Sequence, residues 1–425
     1  MSAPAGLRES PRISVVVPHY EDQAGLDAVL AGLRAQRPAP PAEIVVADDG
    51  SATAPRVPDG VRVVRQEDRG FRAAAARNLG ARAATGQILA FLDGDTVPEP
   101  GYLAAVARAL AEQPHALIVG TRTHVDEAVD PPRDLGEPQW LRDAWAATDH
   151  LRRHDDASFR FVISAVLSCR RETFERLGGF DPTMVGYGGE DWELGWQAVL
   201  AGCDLRHEPG ARAVHRGADW GGRSAADRAA AARQKNRESL RLAPRITHPI
   251  ARPAGLVHAV PDILVTWRRD WHEHAGTGAA ALAVRDLLAA GDVHVRLPQD
   301  GSSPAELREM LAADPRVGFT AGARRPRARA RPRFEVELLS ACRIPPGQLS
   351  RACEAAAARG RIAEVAAPDG TALARIEPVR VRARAALGLA EPGADDGVLR
   401  LIRDWPRLSA QLRLEDAFRD EGQCG

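Results

Sequence analysis

Four short aliphatic runs, at 13–17, 44–47, 61–64 and 88–92, constrain the fold more than any other feature of the chain. Apart from Arg62 in the third, they lack the polar alternation of a half-exposed strand, so the first, second and fourth suit strands buried on both faces. Segments of helical spacing lie between them, at 26–33 and at the alanine-rich 71–84, which Gly86 ends. Alternating strand and helix predicts an α/β domain with a mostly parallel sheet. Two of the runs end in acid, Asp48-Asp49-Gly50-Ser51 and Asp93-Gly94-Asp95. Ligands of open α/β sheets bind outside the carboxyl ends of the strands, so both acidic turns should face one crevice.

Asp93 and Asp95 flank a glycine and can aim at one point. Carboxylates with open positions suit Mg²⁺ or Mn²⁺, which would also hold substrate phosphates. The chain has neither a Walker-type loop nor a Gly-x-Gly-x-x-Gly after the first run, so bound phosphates would need a metal for charge neutralisation.

A third acidic stretch, Gly188-Gly189-Glu190-Asp191, opens a helix whose apolar face is Trp192, Trp196, Val199 and Leu200, with Gly202 as its stop. Negative charge is favoured in a first helical turn, so the expectation is an ionised acid pair. By themselves these acids read as a capped helix with acids placed for the dipole rather than as catalytic groups.

At 425 residues two or three domains are expected. A composition of 44% hydrophobic and 27% charged residues is that of a soluble globular chain. Basic and acidic residues balance at 57 each, which argues against nucleic-acid binding through bulk charge. Five widely spaced cysteines make neither a disulfide framework nor a metal-ligand pattern, and they suit a reducing compartment. The polar start, 1–11, does not read as a signal peptide, and no apolar run approaches a membrane span. The expected location is the cytoplasm, including the inner face of the membrane as a peripheral protein.

Further along, 124–156 reads as an irregular, lid-like excursion with one helix, 161–168 as a strand and 171–177 as a helix. The segment 204–214 leads to His215.

Taken in order, Pro18-x-Tyr20, Asp48-Asp49-Gly50-Ser51, Ala76-Arg77-Asn78-x-Gly80, Asp93-x-Asp95, Gly179-Phe180-Asp181 and Gly188-Gly189-Glu190-Asp191 resemble the inverting glycosyltransferases of family 2, with the GT-A fold. Gly186-Tyr187-Gly188-Gly189-Glu190-Asp191 is also similar to a galactosyltransferase-type segment. The resemblance covers roughly residues 12–220. It implies a hexosyl transfer from a nucleotide-diphosphate sugar, UDP-linked, to a hydroxylated acceptor that is a glycan, a lipid-linked sugar or a small molecule. It implies that Asp48 and Asp49 contact uracil and ribose near Pro18 and Tyr20, with Arg77 bordering the pocket. Asp93 serves the donor sugar, and Asp95 and His215 hold the metal. Asp191 is the general base, and Glu190 holds a sugar. Tyr187, Gly188, Gly189 and Trp192 lie beside the sugar or acceptor. Glu21 departs from the pattern, standing where an asparagine is common. The Gln-x-x-Arg-Trp segment of processive synthases is missing, so transfer of a single sugar is expected.

The expected organisation is a catalytic domain at 1–221, a helical linker at 222–261 and a smaller α/β domain at 262–425. The last echoes the first: a strand at 293–297 runs into Gln299-Asp300-Gly301-Ser302, as 44–47 runs into Asp48-Asp49-Gly50-Ser51. It has no Asp-x-Asp and no Glu-Asp, so it reads equally as a degenerate GT-A-like copy or as an unrelated α/β module. Setting the acceptor and forming a homodimer are the roles open to it. The arginine-rich 324–333 reads as a solvated loop, and 398–405 as a helix. Two other functions stay open: a sugar-phosphate nucleotidyltransferase, and a non-catalytic nucleotide-sugar-binding or scaffold protein.

Overall fold

Val15, Val16 and Val17 are wholly buried, as are Val45, Val46 and Ala47 one strand away and Leu89, Ala90, Phe91 and Leu92 on the other side. A fully buried side chain of this size contributes roughly 1.5–3 kcal/mol, so these runs commit the N-terminal part to a central sheet. A computed structural model describes residues 11–127, 129–217, 225–320, 329–389 and 398–415. The chain divides into two compact units, Met1–Val199 with Cys203–Arg241, and Leu200–Gly202 with Leu242–Gly425.

The first unit runs β1 (Ile13–His19), α1 (Gln23–Arg34), β2 (Glu43–Asp48), β3 (Val61–Arg65), α2 (Ala73–Ala83), β4 (Ile88–Leu92), β5 (Thr96–Pro98) and α3 (Tyr102–Glu112). It continues with β6 (Leu117–Asp126), β7 (Arg133–Gly136), α4 (Gln139–Thr148), β8 (Val166–Arg170), α5 (Arg171–Leu177), α6 (Glu190–Leu200), β9 (Leu205–Arg216) and α7 (Ala225–Leu242). The sheet order is β3-β2-β1-β4-β8-β6-β9-β5, with β7 paired to β6. Strands β3, β2, β1 and β4 are parallel, β8 is antiparallel to β4 and β6, and β6 and β9 are parallel. This is the α/β, mostly parallel sheet that the GT-A resemblance implies.

Gly80 shows how closely helix and sheet approach. A Cβ there would lie 2.4 Å from Val16 Cγ1 and 3.3 Å from the Ala47 side chain. Two residues earlier, Asn78 clamps another segment to α2: its Nδ2 donates to Phe180 O at 2.8 Å, and its Oδ1 accepts from Phe180 N at 3.0 Å. The Phe180 ring packs edge-on against Phe91 of β4, 5.4 Å between centroids. Two motifs a hundred residues apart are thus one packing unit.

The second unit comprises β10 (Ile263–Trp267), α8 (Trp271–His274), α9 (Gly278–Ala289), β11 (Val293–Pro298), α10 (Ala305–Ala312) and β12 (Val317–Thr320). Then follow β13 (Phe334–Leu338), α11 (Gln348–Ala358), β14 (Ala363–Ala366), β15 (Ala372–Pro378), α12 (Val379–Ala386) and β16 (Leu399–Ile402). Its sheet order is β12-β11-β10-β13-β15-β14-β16. The first four are parallel, β15 is antiparallel to both neighbours, and β14 and β16 are parallel. Strand for strand, order and sense repeat β3-β2-β1-β4-β8-β6-β9. The second unit therefore repeats the first unit's sheet architecture.

Three expectations change. The helix expected at 398–405 is the edge strand β16, in register with β14 through Ala363↔Leu399; pairing with an open sheet edge outweighs its helical spacing. The strand expected at 161–168 begins only at Val166. Before it, Asp155 and Ser158 form a capping box that winds Asp156–Phe161 into a 3-10 helix. The arginine run 324–333 is not simply solvated. Residues 324–328 lie outside the described residues, but Arg333 is buried and grips Asp262 through two bonds of 2.7 and 2.8 Å.

The second unit's counterpart of the acidic turn closes on itself. Asp300 Oδ1 accepts from Ser302 N at 2.9 Å and Ser302 Oγ at 2.5 Å. After β13, where the first unit has Asp93-Gly94-Asp95, the chain reads Leu339-Ser340-Ala341. We expect Asp300→Ala in the full chain to leave nucleotide binding and transfer unchanged; a tenfold loss in either, about 1.4 kcal/mol, would give this unit a role in chemistry. Among the described residues, no helix is long and apolar enough to cross a membrane.

Candidate active site

Strands β1 and β2 are parallel with His19 opposite Asp48, so Pro18, His19 and Tyr20 leave the sheet beside Asp48 and Asp49. Asp48 is fully buried; its Oδ1 accepts from Ser51 Oγ at 2.5 Å, and its Oδ2 lies 3.1 Å from Arg65 Nε. Asp49 accepts from Gln66 Nε2 at 2.6 Å and from the Arg72 amide at 2.7 Å. These two acids shape the loops around the crevice, while Tyr20 stays half exposed, its hydroxyl 3.5 Å from Asp68 Oδ2. The Asp68 charge pushes the Tyr20 phenol above its ordinary value. Glu21 adopts φ +56°, a left-handed geometry that asparagine tolerates better than glutamate. Its amide donates to Ser51 Oγ at 2.9 Å, and its carboxylate accepts from Ala52 N.

Arg77 is the hub. It projects from α2, is almost wholly buried, and donates from Nη2 to Asp93 Oδ1 at 2.6 Å and from Nη1 to Glu190 Oε1 at 2.9 Å. Its guanidinium carbon also lies 5.4 Å from the Phe180 ring centroid. Burial alone would favour the neutral form, but the two carboxylates outweigh it and hold the cation firmly. One side chain thereby joins the acidic turn after β4 to the first turn of α6.

Asp95 and His215 meet because β5 runs antiparallel to β9, with Thr96 opposite His215. Asp95 Oδ2 lies 3.3 Å from His215 Nε2, and Asp95 Oδ1 accepts from Thr96 Oγ1 at 3.1 Å. His215 Nδ1 is 3.2 Å from Gly217 O, so that nitrogen carries the proton and Nε2 faces the acid. Burial works against charge on both groups, yet each stabilises the other: Asp95 is lowered and His215 raised. His124 of β6 packs its ring 4.7 Å from that of His215.

The acid stretch opens α6 as its sequence requires, with Glu190, Asp191 and Glu193 in the first turn. Gly188 and Gly189 have φ +84° and +95°, open to glycine at little cost. A Cβ on Gly188 would also strike Glu238 Oε2 at 2.7 Å. Helix α7 braces this loop: Arg241 Nη2 donates to Tyr187 O at 2.9 Å, and Lys235 Nζ sits 4.4 Å above the Trp192 ring while pairing with Glu238 at 2.6 Å. Tyr187 is exposed, with its ring 5.8 Å from that of Phe71.

The expected ionised pair is corrected here. Asp191 is pushed up to about 7, by burial first and then by the neighbouring Glu190 charge. The Trp192 amide, 2.8 Å from Asp191 Oδ1, pulls the other way but is outweighed. Helix-end stabilisation is worth about 0.3–1 kcal/mol, too little to offset a buried like-charge neighbour. Glu190, by contrast, is committed to Arg77.

The structure thus gathers Arg77, Asp93, Glu190 and Asp191 into one connected group. Asp95 with His215, and Tyr187 with Phe71, stand around it. Phe71, Arg122, Lys235 and Glu238 went unnoticed in the sequence, because nothing in their local pattern separates them from ordinary strand or helix surface.

Residues 14–178 match the model described as "Glycosyl transferase family 2", and residues 151–216 match that described as "N-terminal domain of galactosyltransferase". Validoxylamine A glucosyltransferase of Streptomyces hygroscopicus subsp. limoneus is 33% identical over 230 residues, 48% of this chain and 51% of that protein. Pre-mycofactocin glycosyltransferase of Mycobacterium tuberculosis (strain CDC 1551 / Oshkosh) is 31% identical over 208 residues, 48% of this chain and 42% of the relative. The chain thus spans about half the length of these curated relatives. The solved mannosyltransferase PcManGT from Pyrobaculum calidifontis, in complex with GDP-Man and Mn²⁺, is 22% identical, covers 54% of this chain and 64% of its own, and superposes with a TM-score of 0.38. Residues 14–178 of the first unit are thus similar to the glycosyltransferases of family 2, and residues 151–216 to a galactosyltransferase-type segment.

Proposed function

We propose that this chain transfers one sugar from a nucleotide-diphosphate sugar to an acceptor hydroxyl, with inversion, and that Asp191 is the general base. The observation that carries this reading is the Arg77 bridge. It ties the acidic turn Asp93-Gly94-Asp95 to the Glu190–Asp191 helix start, so a donor-binding corner and a base are built as one unit. Tyr20 and Asp49 would hold the nucleoside, on a loop that the buried Asp48 braces. Asp93 would orient the donor sugar. Tyr187 and Trp192, on the loop of Gly188 and Gly189, would contact the sugar or acceptor.

The acceptor oxygen attacks the anomeric carbon and loses its proton to Asp191. The carbon–oxygen bond to the diphosphate breaks, and the nucleoside diphosphate leaves with the bonding electrons. A single displacement inverts the centre. A base with pKa near 7 suits this step: half ionised at neutral pH, it is strong enough to take the proton as the new bond forms.

A divalent ion fits the residues present. Asp95 and His215 offer one carboxylate oxygen and one imidazole nitrogen 3.3 Å apart, a donor set suited to Mn²⁺ or Mg²⁺. No group of three or more such side chains occurs among the described residues, so diphosphate oxygens and water would complete the shell. When bound, the ion neutralises charge on the departing diphosphate. In turnover assays across nucleotide sugars, excess chelator is expected to suppress transfer and Mn²⁺ to restore it. Asp95→Ala should raise the Mn²⁺ concentration required at least tenfold. Full activity in chelator would remove the metal from the mechanism and leave the role of Asp191 standing.

A further inference from the structure

Arginines crowd this end of the first sheet, and most are already committed. Arg65 lies against Asp48, Arg72 near Asp49, Arg77 between Asp93 and Glu190, and Arg216 on Glu127. Arg122 of β6 differs. It is half-buried and its Nε, like those of Arg72 and Arg77, is shielded from solvent without a hydrogen-bond partner, but no carboxylate among the described residues pairs with its guanidinium. A buried N–H left unmatched costs free energy that an incoming anion would recover.

Register places it. On β6, His124 stands opposite His215 of β9, and Arg122 stands opposite Ala213. Arg122 and His124 are two residues apart, so they leave the same face of the sheet. That is the face on which the His124 ring meets the ring of His215, and His215 meets Asp95. The Arg122 charge is felt by Asp95, His215 and Tyr187. It therefore lies within electrostatic reach of both the Asp95–His215 corner and the exposed Tyr187 loop.

We propose that Arg122 is a binding residue for the diphosphate of the donor, received beside the Asp95–His215 corner. This rests on the glycosyltransferase reading above and adds a residue that neither the motifs nor the family match singles out. The diphosphate brings the anionic oxygens that Arg122 lacks, and a guanidinium can take two of them in parallel. Arg77 offsets one of the two charges of Asp93 and Glu190, and Arg122 adds positive charge where the diphosphate charge develops on departure. An anionic group on the acceptor offers the same chemistry from the Tyr187 side. The corner of Asp95 and His215, one cross-strand step from Arg122, favours the donor.

The test is calorimetric titration of the full chain with UDP, GDP and their monophosphates, in the presence of Mn²⁺, alongside Arg122→Gln and Arg122→Lys. For the nucleotide that the wild type takes, Arg122→Gln should weaken the diphosphate by about 10- to 100-fold, the worth of one or two charged hydrogen bonds, and leave the monophosphate nearly unchanged. Arg122→Lys should fall between, and it carries the comparison if the glutamine variant does not fold. Equal weakening of mono- and diphosphate would make Arg122 merely structural and overturn the proposal. Unchanged diphosphate affinity with a raised acceptor KM would assign it to an anionic acceptor and overturn it too. If the wild type binds neither diphosphate, the donor reading fails and the proposal falls with it. Intact wild-type binding with an unaffected variant sinks Arg122 alone.

Discussion

Asp191→Asn is expected to lower turnover by about a hundredfold to ten-thousandfold, the usual contribution of a general base, with nucleotide-diphosphate affinity almost unchanged. The wild-type kcat/KM should rise with pH and level off above about 7, the value to which burial and Glu190 push this carboxyl. The same substitution should make the protein more stable. A carboxyl whose pKa is raised on folding holds its proton more tightly folded than unfolded. Its contribution to stability is therefore fully present below the unfolded value, about 4, and is lost as pH rises through 7. The amide cannot ionise, so the gain in Tm over wild type should be small at pH 4, grow between pH 4 and 7, and be largest above. Thermal melts of both proteins across that range measure it. A slower variant whose gain in Tm over wild type is no larger at pH 8 than at pH 4 would mean that Asp191 is not held protonated by its surroundings. Unchanged turnover would remove it as the base.

Arg77→Met is expected to be the most destabilising single change at the site. It leaves Asp93 and Glu190 without their shared cation, and Glu190 is largely buried. Removing one partner of a buried pair typically costs about 3–5 kcal/mol. For a unit of this size that is a fall in Tm of roughly 10 °C, read by calorimetry. The acid loop should loosen as well, because Arg77 is the link between α2, the turn after β4 and α6. Arg77→Lys keeps the charge but not the fork that reaches both acids, so it should recover only part of the loss. A Tm within a degree or two of wild type at neutral pH would show that the bridge is not the hub of the site.

Much of the first unit was legible because its strands are extreme. The runs at 13–17, 44–47 and 88–92 contain almost nothing but buried side chains, and only a sheet covered on both faces can use them. The acids at their ends were legible for the same reason: once a strand is placed, its carboxyl end is placed. Less extreme segments misled. Val398, Leu401, Ile402 and Trp405 have helical spacing, yet the chain lies as an edge strand with Trp405 buried in the second unit's core. Spacing records which side chains are apolar, and it does not record that a sheet edge is waiting.

The second unit divides the two kinds of information most clearly. One local echo, the strand at 293–297 running into Gln299-Asp300-Gly301-Ser302, hinted at a repeat of the sheet architecture. Seven strands in the same order and sense establish it, and that rests on pairings between segments far apart in the chain.

At the site the division is the same. The sequence alone determined the class of fold, the acidic strand ends and a helix opening with Glu190 and Asp191, because these depend on local periodicity and turn chemistry. Only the tertiary structure decided which acids are free to act. Arg77 reaches Asp93 and Glu190 across 16 and 113 residues of chain, and so leaves Asp191 as the member of the couple without an ion pair among the described residues. Burial beside Glu190 then raises its pKa toward neutrality. Charge pairing and desolvation depend on distance in space, and no spacing along the chain encodes that.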